Sequence, residues 1–540
     1  MLTKFLLAAT LTLAIFLRIW NLDNIPPSLN WDEISLGYNS YSILKTGHDE
    51  WGQFMPLSFR AFGDYKLPGY VYLDVPFIAI FGLNEWSVRL PSAILGVGFV
   101  LLIFLILKKL TNVETAIWGS CLAGIIPWTI ITSRIALEAQ LALFLTTLGF
   151  YLFLLGLKKS YLMLASIIFG LTIFSYNTSR VVTPLLVSIL TIFYWKELKS
   201  CRMHTVVALL VFLAFFSVAL PRALLQDSSA RYRWTTILDE GAINRINESR
   251  NTSTLPPLLT QLSYNKLTYF SGEVVKNYIS HFHPNFLFFN GGSNYQFSVP
   301  GSGLLYVVLL PFLLLGIFSS IKQKKKWQMF VLSWMFIAPI PAAITRDSPH
   351  ALRSLMMIPP IIILSSLGIE FGLNILSRSS KKCRFLLNGI VVIVLFVSLY
   401  TFLQNYTGNY VKNYSWAWQY GYKQVAEYVR EDDRYDTIFI SKKYGEPHEF
   451  ILFYTKYDPA QYQNSEGKIK YAQSDWFWVD KFDKYVFLND WEIIDKTRDA
   501  KNGLLVTSPG NFPEGSKLVK SIDFLDGQKA FDIVLLPQVQ

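Results

Sequence analysis

The main feature of the sequence is a series of long apolar runs separated by polar stretches. A helix that spans a bilayer needs about 20 mostly apolar residues, and about eleven runs approach this length. The first run lacks a small-residue cleavage site, so we expect a retained span, with a cleaved signal peptide as the alternative. The predicted spans are residues 2–20, 88–107, 116–131, 135–157, 161–176, 181–194, 205–220, 304–320, 327–344, 352–373 and 385–402, and a shorter apolar helix is predicted at 70–81.

Two polar stretches, at about 21–87 and 221–302, interrupt these runs, and the runs end near residue 404. The remaining residues alternate short helix and strand patterns, which is typical of a small α/β domain. We predict a polytopic α-helical membrane protein with a membrane domain at 1–404 and an α/β domain at 405–540. In the latter, helices are predicted at 416–430 and 449–454, and strands at 435–441, 485–488, 503–507, 517–524 and 530–536.

Composition supports this class of protein. Hydrophobic residues make up 52% of the 540 residues and charged residues only 16%, whereas an average soluble domain has about a quarter charged residues. Disordered chains lack apolar residues, and three cysteines are too few for a disulfide-linked scaffold. A basic nucleic-acid binder would carry its charge on a wet surface. We therefore expect a lipid bilayer as partner and no nucleic acid.

The net charge of +11 is explained by where the basic residues lie. Basic residues favour cytoplasmic loops, and with the N-terminus inside, the inner loops hold sixteen basic residues against two acidic ones. We predict a multi-pass protein of the cytoplasmic membrane, with both polar stretches and the C-terminal domain outside. The sixteen are Lys4, Lys108, Lys109, Lys158, Lys159, Lys196, Lys199, Arg202, Lys322, Lys324, Lys325, Lys326, Arg378, Lys381, Lys382 and Arg384.

Candidate chemistry begins in the first outer stretch with Asn30, Trp31, Asp32 and Glu33. Two adjacent carboxylates at the membrane surface can serve as a general base that deprotonates a hydroxyl. The alternative is helix capping, in which Asn30 or Asp32 caps a helix over residues 33–44. The two interpretations are compatible.

Lys66 follows in the same stretch, just before the short apolar helix and flanked by Tyr65 and Tyr70. A lysine there can meet an anionic head group. The alternative is an interfacial lysine that snorkels between interfacial tyrosines. On the residues alone we favour this alternative.

Glu138 is an ionisable residue near the outer end of the apolar run 135–157. Such groups are costly in a span and usually functional. The alternative is an ion pair with Arg134, four residues earlier on the same helix face. That pair can itself line a site.

The short outer turns carry basic residues against the topological bias. Arg180 lies in one turn, and Arg346, His350 and Arg353 lie in another. Guanidinium groups suit phosphate because they offer two parallel donors, so these turns suggest an anionic ligand, with snorkelling helix ends as the alternative. His281 and His283 look like a metal pair, but on a strand their side chains would point in opposite directions.

The order of these motifs resembles a known family. An acidic pair follows the first span, then come Lys-x-Pro-x-Tyr at 66–70, an acid four residues after an arginine at 134–138, and a late His-Ala-Leu-Arg loop at 350–353. This arrangement resembles the GT-C class of membrane glycosyltransferases, over roughly residues 1–400. Within that class it resembles the bacterial enzymes of the protein O-mannosyltransferase and aminoarabinose-transferase superfamily.

The resemblance implies transfer of a sugar from a polyprenyl-phosphate donor to an acceptor outside the cytoplasmic membrane, with inversion at the anomeric carbon. Asp32 would be the base, Glu33 would support it, Glu138 would match the second acidic position, and Lys66 would meet the carrier phosphate. Further candidates for phosphate or sugar contacts are Arg180, His350 and Arg353, with Tyr65, Tyr70, Arg134 and Arg346 as possible members of the site.

Several properties stay open. Some GT-C enzymes need a divalent cation, but relatives of this superfamily generally do not, so we expect no required metal or other cofactor. The second polar stretch is too short for the β-trefoil insertion of eukaryotic protein mannosyltransferases, and lipid, glycan, wall-polymer and protein acceptors all remain. The main rival function is a transporter or lipid flippase for a phosphate-bearing substrate, although we see no internal repeat of the kind transporters show. A non-catalytic receptor is the third.

Overall fold

The protein is mostly helical, with 64% of residues in helices. The computed structural model describes residues 1–157, 161–222, 235–376, 380–430, 434–473, 476–498, 500 and 503–537. Three of the basic residues used to predict topology, Lys158, Lys159 and Arg378, lie outside these ranges, as does part of the second polar stretch.

Five of the described helices are long and apolar enough to cross a membrane, and a sixth span is formed if one bent pair counts as a single crossing. The bent pair is Val113–Ile125 and Pro127–Ser133, which meet at an angle of 55°. The five are Glu85–Leu110, Glu138–Gly156, Arg202–Ala219, Leu355–Leu376 and Lys381–Asn413. The apolar character predicted from the sequence is therefore present, and the number of eleven spans stays a prediction.

Other apolar helices are shorter. The sequence predicted a helix at 70–81, and the structure has one at Pro68–Phe81, begun by a proline at its first position, where the missing N–H costs nothing. Among the described residues of the N-terminal three quarters of the chain, the remaining α-helices are Leu2–Ile19, Trp31–Thr46, Tyr161–Ile173, Ser179–Phe193, Trp195–Ser200, Glu240–Asn251, Pro257–Ser263, Lys266–Ser280, Leu309–Gln323, Lys326–Ile337 and Ile340–Ala343.

The chain forms two compact units that do not follow the sequence in order. The first unit comprises Met1–Arg18, Ile94–Ser133 and Glu138–Leu403. The second comprises Ile19–Ala93, Arg134–Leu137 and Gln404–Gln540, so the first polar stretch and the C-terminal region belong to one unit. The division into domains at residue 404 stays a prediction.

Helices in the first unit pack through small residues. The helix Leu309–Gln323 crosses Ile358–Leu376 at Gly316 and Gly368. A Cβ on Gly316 would lie 1.8 Å from the Leu364 carbonyl oxygen, and one on Gly368 would lie 1.7 Å from that of Phe312. Small residues let helix backbones approach closely, which is the usual way that helices associate in membranes.

The second unit contains a seven-stranded sheet. Its strands are β3 (Thr437–Ser441), β4 (Ile469–Gln473), β5 (Trp476–Phe482), β6 (Tyr485–Leu488), β7 (Gly503–Thr507), β8 (Lys517–Asp523) and β9 (Lys529–Leu535), in the order β4-β5-β6-β3-β7-β9-β8. The central strands β6, β3 and β7 are parallel, and the outer pairs are antiparallel. Two further strands, β1 (Phe59–Arg60) and β2 (Tyr65–Lys66), form a small separate hairpin.

Helices of the C-terminal region accompany this sheet. The sequence predicted a helix at 416–430, but the structure has a 3₁₀ turn at Ser415–Trp418 and a helix at Tyr422–Arg430. The interruption is at Gly421, whose φ of +111° is not helical. The helix predicted at 449–454 is present as Pro447–Tyr454. Two short helices, Pro459–Gln463 and Ile493–Thr497, were not predicted.

One helix of the second unit is central to the rest of the description. The helix Trp31–Thr46 begins where the sequence predicted a cap and packs against Pro68–Phe81, Pro447–Tyr454 and Pro459–Gln463. Within this unit, elements from both ends of the chain therefore meet around the acidic motif of the first polar stretch.

Candidate active site

Asp32 lies in the first turn of the helix Trp31–Thr46. Asn30 caps this helix, because its side chain accepts the backbone N–H of Glu33 at 3.0 Å. The helix N-terminus carries a partial positive charge, which stabilises a carboxylate in the first turn. The capping alternative is thus confirmed for Asn30, and it holds Asp32 at the helix start, with 41% of its side chain exposed.

Glu33, the neighbouring acid, is completely buried and fully partnered. One carboxylate oxygen accepts from Arg89 Nε at 2.8 Å and from the Ala136 N–H at 2.9 Å. The other accepts from Arg89 Nη2 at 3.0 Å and from the Asn30 N–H at 3.2 Å. Such a carboxylate fixes the chain around it, so of the two adjacent acids Asp32 is the exposed one.

Lys66 forms an ion pair with Asp32. The pair is well placed because Lys66 lies on strand β2, which pairs with β1 in the hairpin and fixes the direction of the lysine. Only 8% of the Lys66 side chain is exposed. The structure thus joins the two motifs that the sequence left 34 residues apart, and the snorkelling alternative does not account for a buried lysine paired with an acid.

Trp31, the residue before Asp32, packs with Phe62 and Trp476, and these three side chains are called the aromatic wall below. The ring centroids of Trp31 and Phe62 are 5.8 Å apart, and Phe62 stacks on Trp476 at 6.1 Å. The Trp31 backbone N–H donates to Gln419 at 2.8 Å. Pockets that bind small organic groups typically combine such aromatic surfaces with a few polar groups.

The other possible members of the site in this unit have structural partners. Arg134 donates to the carbonyl oxygens of Trp20 and Ile25, each at 2.8 Å. The Tyr70 hydroxyl donates to the Val88 carbonyl at 2.8 Å and is fully buried. Tyr65 is half-buried beside Lys66 on β2. A role for these residues in ligand binding stays a prediction, as does the ion pair between Arg134 and Glu138.

Glu138 is the first residue of the helix Glu138–Gly156 in the first unit and is half-buried. A carboxylate at a helix N-terminus is again favoured by the helix dipole. Arg180, also in the first unit, lies in the first turn of Ser179–Phe193, and its Nε donates to the Ile173 carbonyl at 3.4 Å.

The late basic loop in the first unit is held by several contacts. Arg353 donates to Thr345 Oγ1 at 2.8 Å and lies 3.6 Å from the Asp347 carboxylate. The Thr178 hydroxyl donates to the Arg353 carbonyl at 3.5 Å, so the turns that carry Arg180 and Arg353 touch. Arg346 is more exposed and lies 3.8 Å from Asp239.

His350 is linked to a histidine that the sequence placed wrongly. His281 and His283 do not lie on a strand but in the turn after the helix Lys266–Ser280, because that amphipathic helix continues up to them. His281 is buried, its Nδ1–H donates to the Asn277 carbonyl at 2.7 Å, and its Nε2 accepts the His350 backbone N–H at 3.3 Å. Burial lowers the pKa of His281 to about 4.

Buried acids form a second group close to the aromatic wall. The Trp476 indole donates to Glu446, and burial raises the pKa of Glu446 to about 7. Burial also raises the pKa of Glu50 to about 7 and that of Glu449 well above its usual range. His448 beside them has its pKa lowered to about 3 by burial and by the charge of Lys442.

Sequence reasoning missed Arg89, Trp476 and these buried acids. Arg89 lies within a long apolar helix. An ionisable residue in an apolar run was the signal that singled out Glu138, and it would also have found Arg89. The acids carried no such signal, because Glu50 lies in the first polar stretch and Glu446 and Glu449 in the predicted α/β domain, where carboxylates are common.

Residues 66–221 match the family model of dolichyl-phosphate-mannose-protein mannosyltransferases. The putative mannosyltransferase YkcB of Bacillus subtilis (strain 168) is 24% identical over 177 residues, which cover 31% of this chain. The match spans 25% of the relative's own length. Lys66 is the first residue of the matched segment.

Two solved structures resemble all or most of the chain. ArnT from Cupriavidus metallidurans, bound to undecaprenyl phosphate, superposes with a TM-score of 0.57, 11% identity and 99% coverage of both chains. The oligosaccharyltransferase AglB from Archaeoglobus fulgidus was solved in complex with an inhibitory peptide and a dolichol-phosphate. It matches with a TM-score of 0.51 and 14% identity, and the match covers 84% of this chain and 63% of that one.

These likenesses show the fold. The fold is that of the GT-C membrane glycosyltransferases, and the resemblance predicted from the order of motifs is confirmed. Together with the apolar helices, the match to this family identifies a membrane protein.

Proposed function

We propose that this chain is a glycosyltransferase that moves a sugar from a polyprenyl-phosphate donor to an acceptor on the outer face of the cytoplasmic membrane, with inversion. The observation that carries the proposal is the Asp32–Lys66 ion pair, which places a carboxylate and a cation side by side in a chain with the GT-C fold. The family match at 66–221 and the undecaprenyl phosphate named in the ArnT structure support a lipid-linked donor.

The proposed reaction uses the two charges separately. Asp32 takes the proton from the acceptor hydroxyl, and the acceptor oxygen forms its bond to the anomeric carbon from the face opposite the phosphate. The bond from that carbon to the phosphate oxygen breaks, and the carrier leaves as polyprenyl phosphate. A cation beside the departing anion lowers the barrier. Because an ammonium has three N–H donors, Lys66 can contact the phosphate while keeping Asp32 oriented.

The remaining residues have supporting parts in the proposal. Glu33 acts as a positioning residue through Arg89. From the family resemblance alone, Glu138 is proposed as a second acid, and Arg180, His350 and Arg353 as contacts of the phosphate or the sugar. The prenyl chain adds binding energy of about 0.8 kcal/mol for each buried methylene. The transfer step itself needs no metal ion, and the C-terminal region lies outside the membrane with the acceptor.

The base is tested by transfer from radiolabelled polyprenyl-phosphate sugars to membranes of a strain that lacks this protein. We expect Asp32→Asn to lower transfer by at least about 100-fold while the protein still folds and binds donor. The control is Asp23→Asn, which removes an exposed carboxylate from the same unit. Full activity of Asp32→Asn would contradict the base assignment.

The phosphate contact is tested by donor binding. Loss of one charged hydrogen bond is expected to weaken donor binding about 10-fold or more in Lys66→Ala. The control is Lys45→Ala, an exposed lysine near the end of the Asp32 helix. Unchanged donor affinity in Lys66→Ala would reject the phosphate role. Movement of the whole donor across sealed vesicles, without sugar transfer, would instead indicate a flippase.

Orientation is tested separately. A C-terminal tag that carries a protease cleavage site should be cut by protease added to spheroplasts with intact membranes, because the C-terminal region is proposed to lie outside. Protection in spheroplasts with cleavage in inverted vesicles would overturn the topology.

A further inference from the structure

Glu50, His448 and Glu449 form a buried cluster in the second unit. Glu50 follows the helix Trp31–Thr46, and the other two lie in the first turn of Pro447–Tyr454. Each of these three side chains belongs to a residue no more than 2% exposed. One ligand atom from each lies within 4.8 Å of the others. In the described part of the chain, this is the group of three histidine, cysteine or acidic side chains whose ligand atoms lie close enough to hold a metal ion.

The cluster contains carboxylate oxygens that lack hydrogen-bond donors. Glu50 Oε1 accepts from Asn39 at 2.9 Å, but Glu50 Oε2 has no donor, and neither has Glu449 Oε2. The two carboxylates lie within hydrogen-bond range of each other. Two carboxylate oxygens that face each other in a dry site favour a positive group between them, because a buried polar atom without a partner is costly.

We propose that this cluster binds one divalent cation of the zinc type. Imidazole nitrogen with two carboxylates is a ligand set that zinc accepts, at about 2.0–2.2 Å from each atom, with water in a remaining position. His448 Nε2 lies 4.0 Å from Glu449 Oε1, whereas two ligands of a tetrahedral zinc ion lie about 3.4 Å apart, so the side chains would close slightly around the ion. For Glu50 we assign Oε2 as the ligand atom, because it accepts no hydrogen bond in the described part of the chain.

A neighbouring acid is placed to orient the histidine. His448 Nδ1 lies 3.5 Å from Glu446 Oε2. Ligating histidines usually donate their second ring N–H to a carboxylate, which fixes the other nitrogen toward the metal. Glu446 is itself held by the Trp476 indole. Among the described residues Nδ1 makes no hydrogen bond, so this contact would shorten on metal binding, with Glu446 as a positioning residue and Nε2 as the ligand nitrogen.

Positive charges act on the cluster from lysines that also have other partners. Among the described residues, these include Lys66, Lys442 and Lys468. Lys66 pairs with Asp32 and Lys442 with Asp480, while Lys468 donates to the Tyr462 carbonyl at 2.6 Å. The cation would thus link the segment after the Asp32 helix to the helix Pro447–Tyr454. This inference does not depend on the proposed sugar transfer.

The test measures metal in the full-length protein purified through a tag that binds no metal. We expect about one zinc equivalent per chain by mass spectrometry, and loss of most of it in Glu449→Gln and His448→Ala. The matched controls are Glu466→Gln and His283→Ala, which change exposed residues of the same types. Unchanged zinc content in the cluster variants, or zinc lost equally in the controls, would overturn the proposal.

A second measurement uses the wild-type protein, so that the proposal can be tested even if the variants fail to fold. Wild-type protein stripped with a chelator should regain thermal stability on addition of zinc, because a ligand that binds only the folded state stabilises it. Cobalt in place of zinc should give the visible absorption of a tetrahedral site with a nitrogen ligand. A stripped protein whose melting temperature does not respond to zinc or cobalt would show that the two carboxyls share a proton instead. A response to magnesium or calcium alone would rule out the histidine ligand.

Discussion

The carboxylate of Glu33 and the guanidinium of Arg89 form a fully buried, two-point ion pair. Arg89 also donates to the carbonyl oxygens of Leu22 at 3.0 Å and Pro26 at 2.9 Å. Glu33 meanwhile accepts the N–H groups of Asn30 and Ala136. One ion pair therefore connects the chain before the Asp32 helix, the helix start and the short segment 134–137.

Breaking this pair should destabilise the protein strongly. Removal of one partner leaves an uncompensated buried charge, which costs about 3–5 kcal/mol, so we expect Glu33→Ala and Arg89→Ala each to lower the melting temperature in detergent by many degrees. Arg89→Lys should not restore it, because a lysine cannot reproduce the two parallel hydrogen bonds. The control is Glu466→Gln, and a melting temperature of Glu33→Ala equal to that of the control would contradict this account.

Loss of the Asn30 cap should lower the transfer rate more than its small effect on the free energy of unfolding would suggest. Asn30→Ala removes the acceptor for the Glu33 N–H and should cost about 1 kcal/mol. Fraying of the first turn would also move Asp32. We expect a lower transfer rate with little change in donor affinity, and recovery in Asn30→Ser, whose hydroxyl can cap. Equal rates in the alanine and serine variants would argue against capping as the cause.

Local patterns predicted much of the fold. The strands at 485–488 and 503–507 were predicted at the observed residues, because each is a short, continuous, buried apolar run. Strands β4 and β5 were missed: β4 is exposed throughout, and β5 places three consecutive aromatic residues before a charged pair. The exposure of β4 removes the buried face on which a strand pattern depends, although β4, β5 and β6 follow one another in the sequence and pair in that order.

The sequence predicted the individual residues of the candidate site but not the contacts between them. Asp32 and Lys66 were singled out separately, and their ion pair depends on the β1–β2 hairpin, which two-residue strands do not reveal in a sequence. The structural role of Glu33 could not be predicted either, because it depends on an ion pair with Arg89, which is 56 residues away in the sequence.

Gly445 is a position where any side chain should disturb the aromatic wall. Its φ is +124°, and a Cβ there would lie 2.5 Å from Trp31 Cε3 and 2.5 Å from Gln419 Nε2. We expect Gly445→Ala to lower the melting temperature and to shift the tryptophan fluorescence. The control is Gly467→Ala, which has a φ of +79° with nothing within 4 Å. A control variant as unstable as Gly445→Ala would show that backbone strain alone is responsible.

His281 should make the late basic loop sensitive to acid. Its folded pKa of about 4 lies below the usual value of 6.5, so the unfolded chain binds a proton that the folded chain refuses, and stability falls as the pH drops from about 6.5 towards 4. The loss can reach about 3 kcal/mol, at 1.36 kcal/mol per pKa unit. Since Nε2 accepts the His350 N–H, protonation also removes that contact. We expect melting temperatures at pH 5 and pH 7 to differ less in His281→Gln than in wild type, with His283→Gln behaving like wild type. An equal pH dependence in all three proteins would contradict a buried, neutral His281.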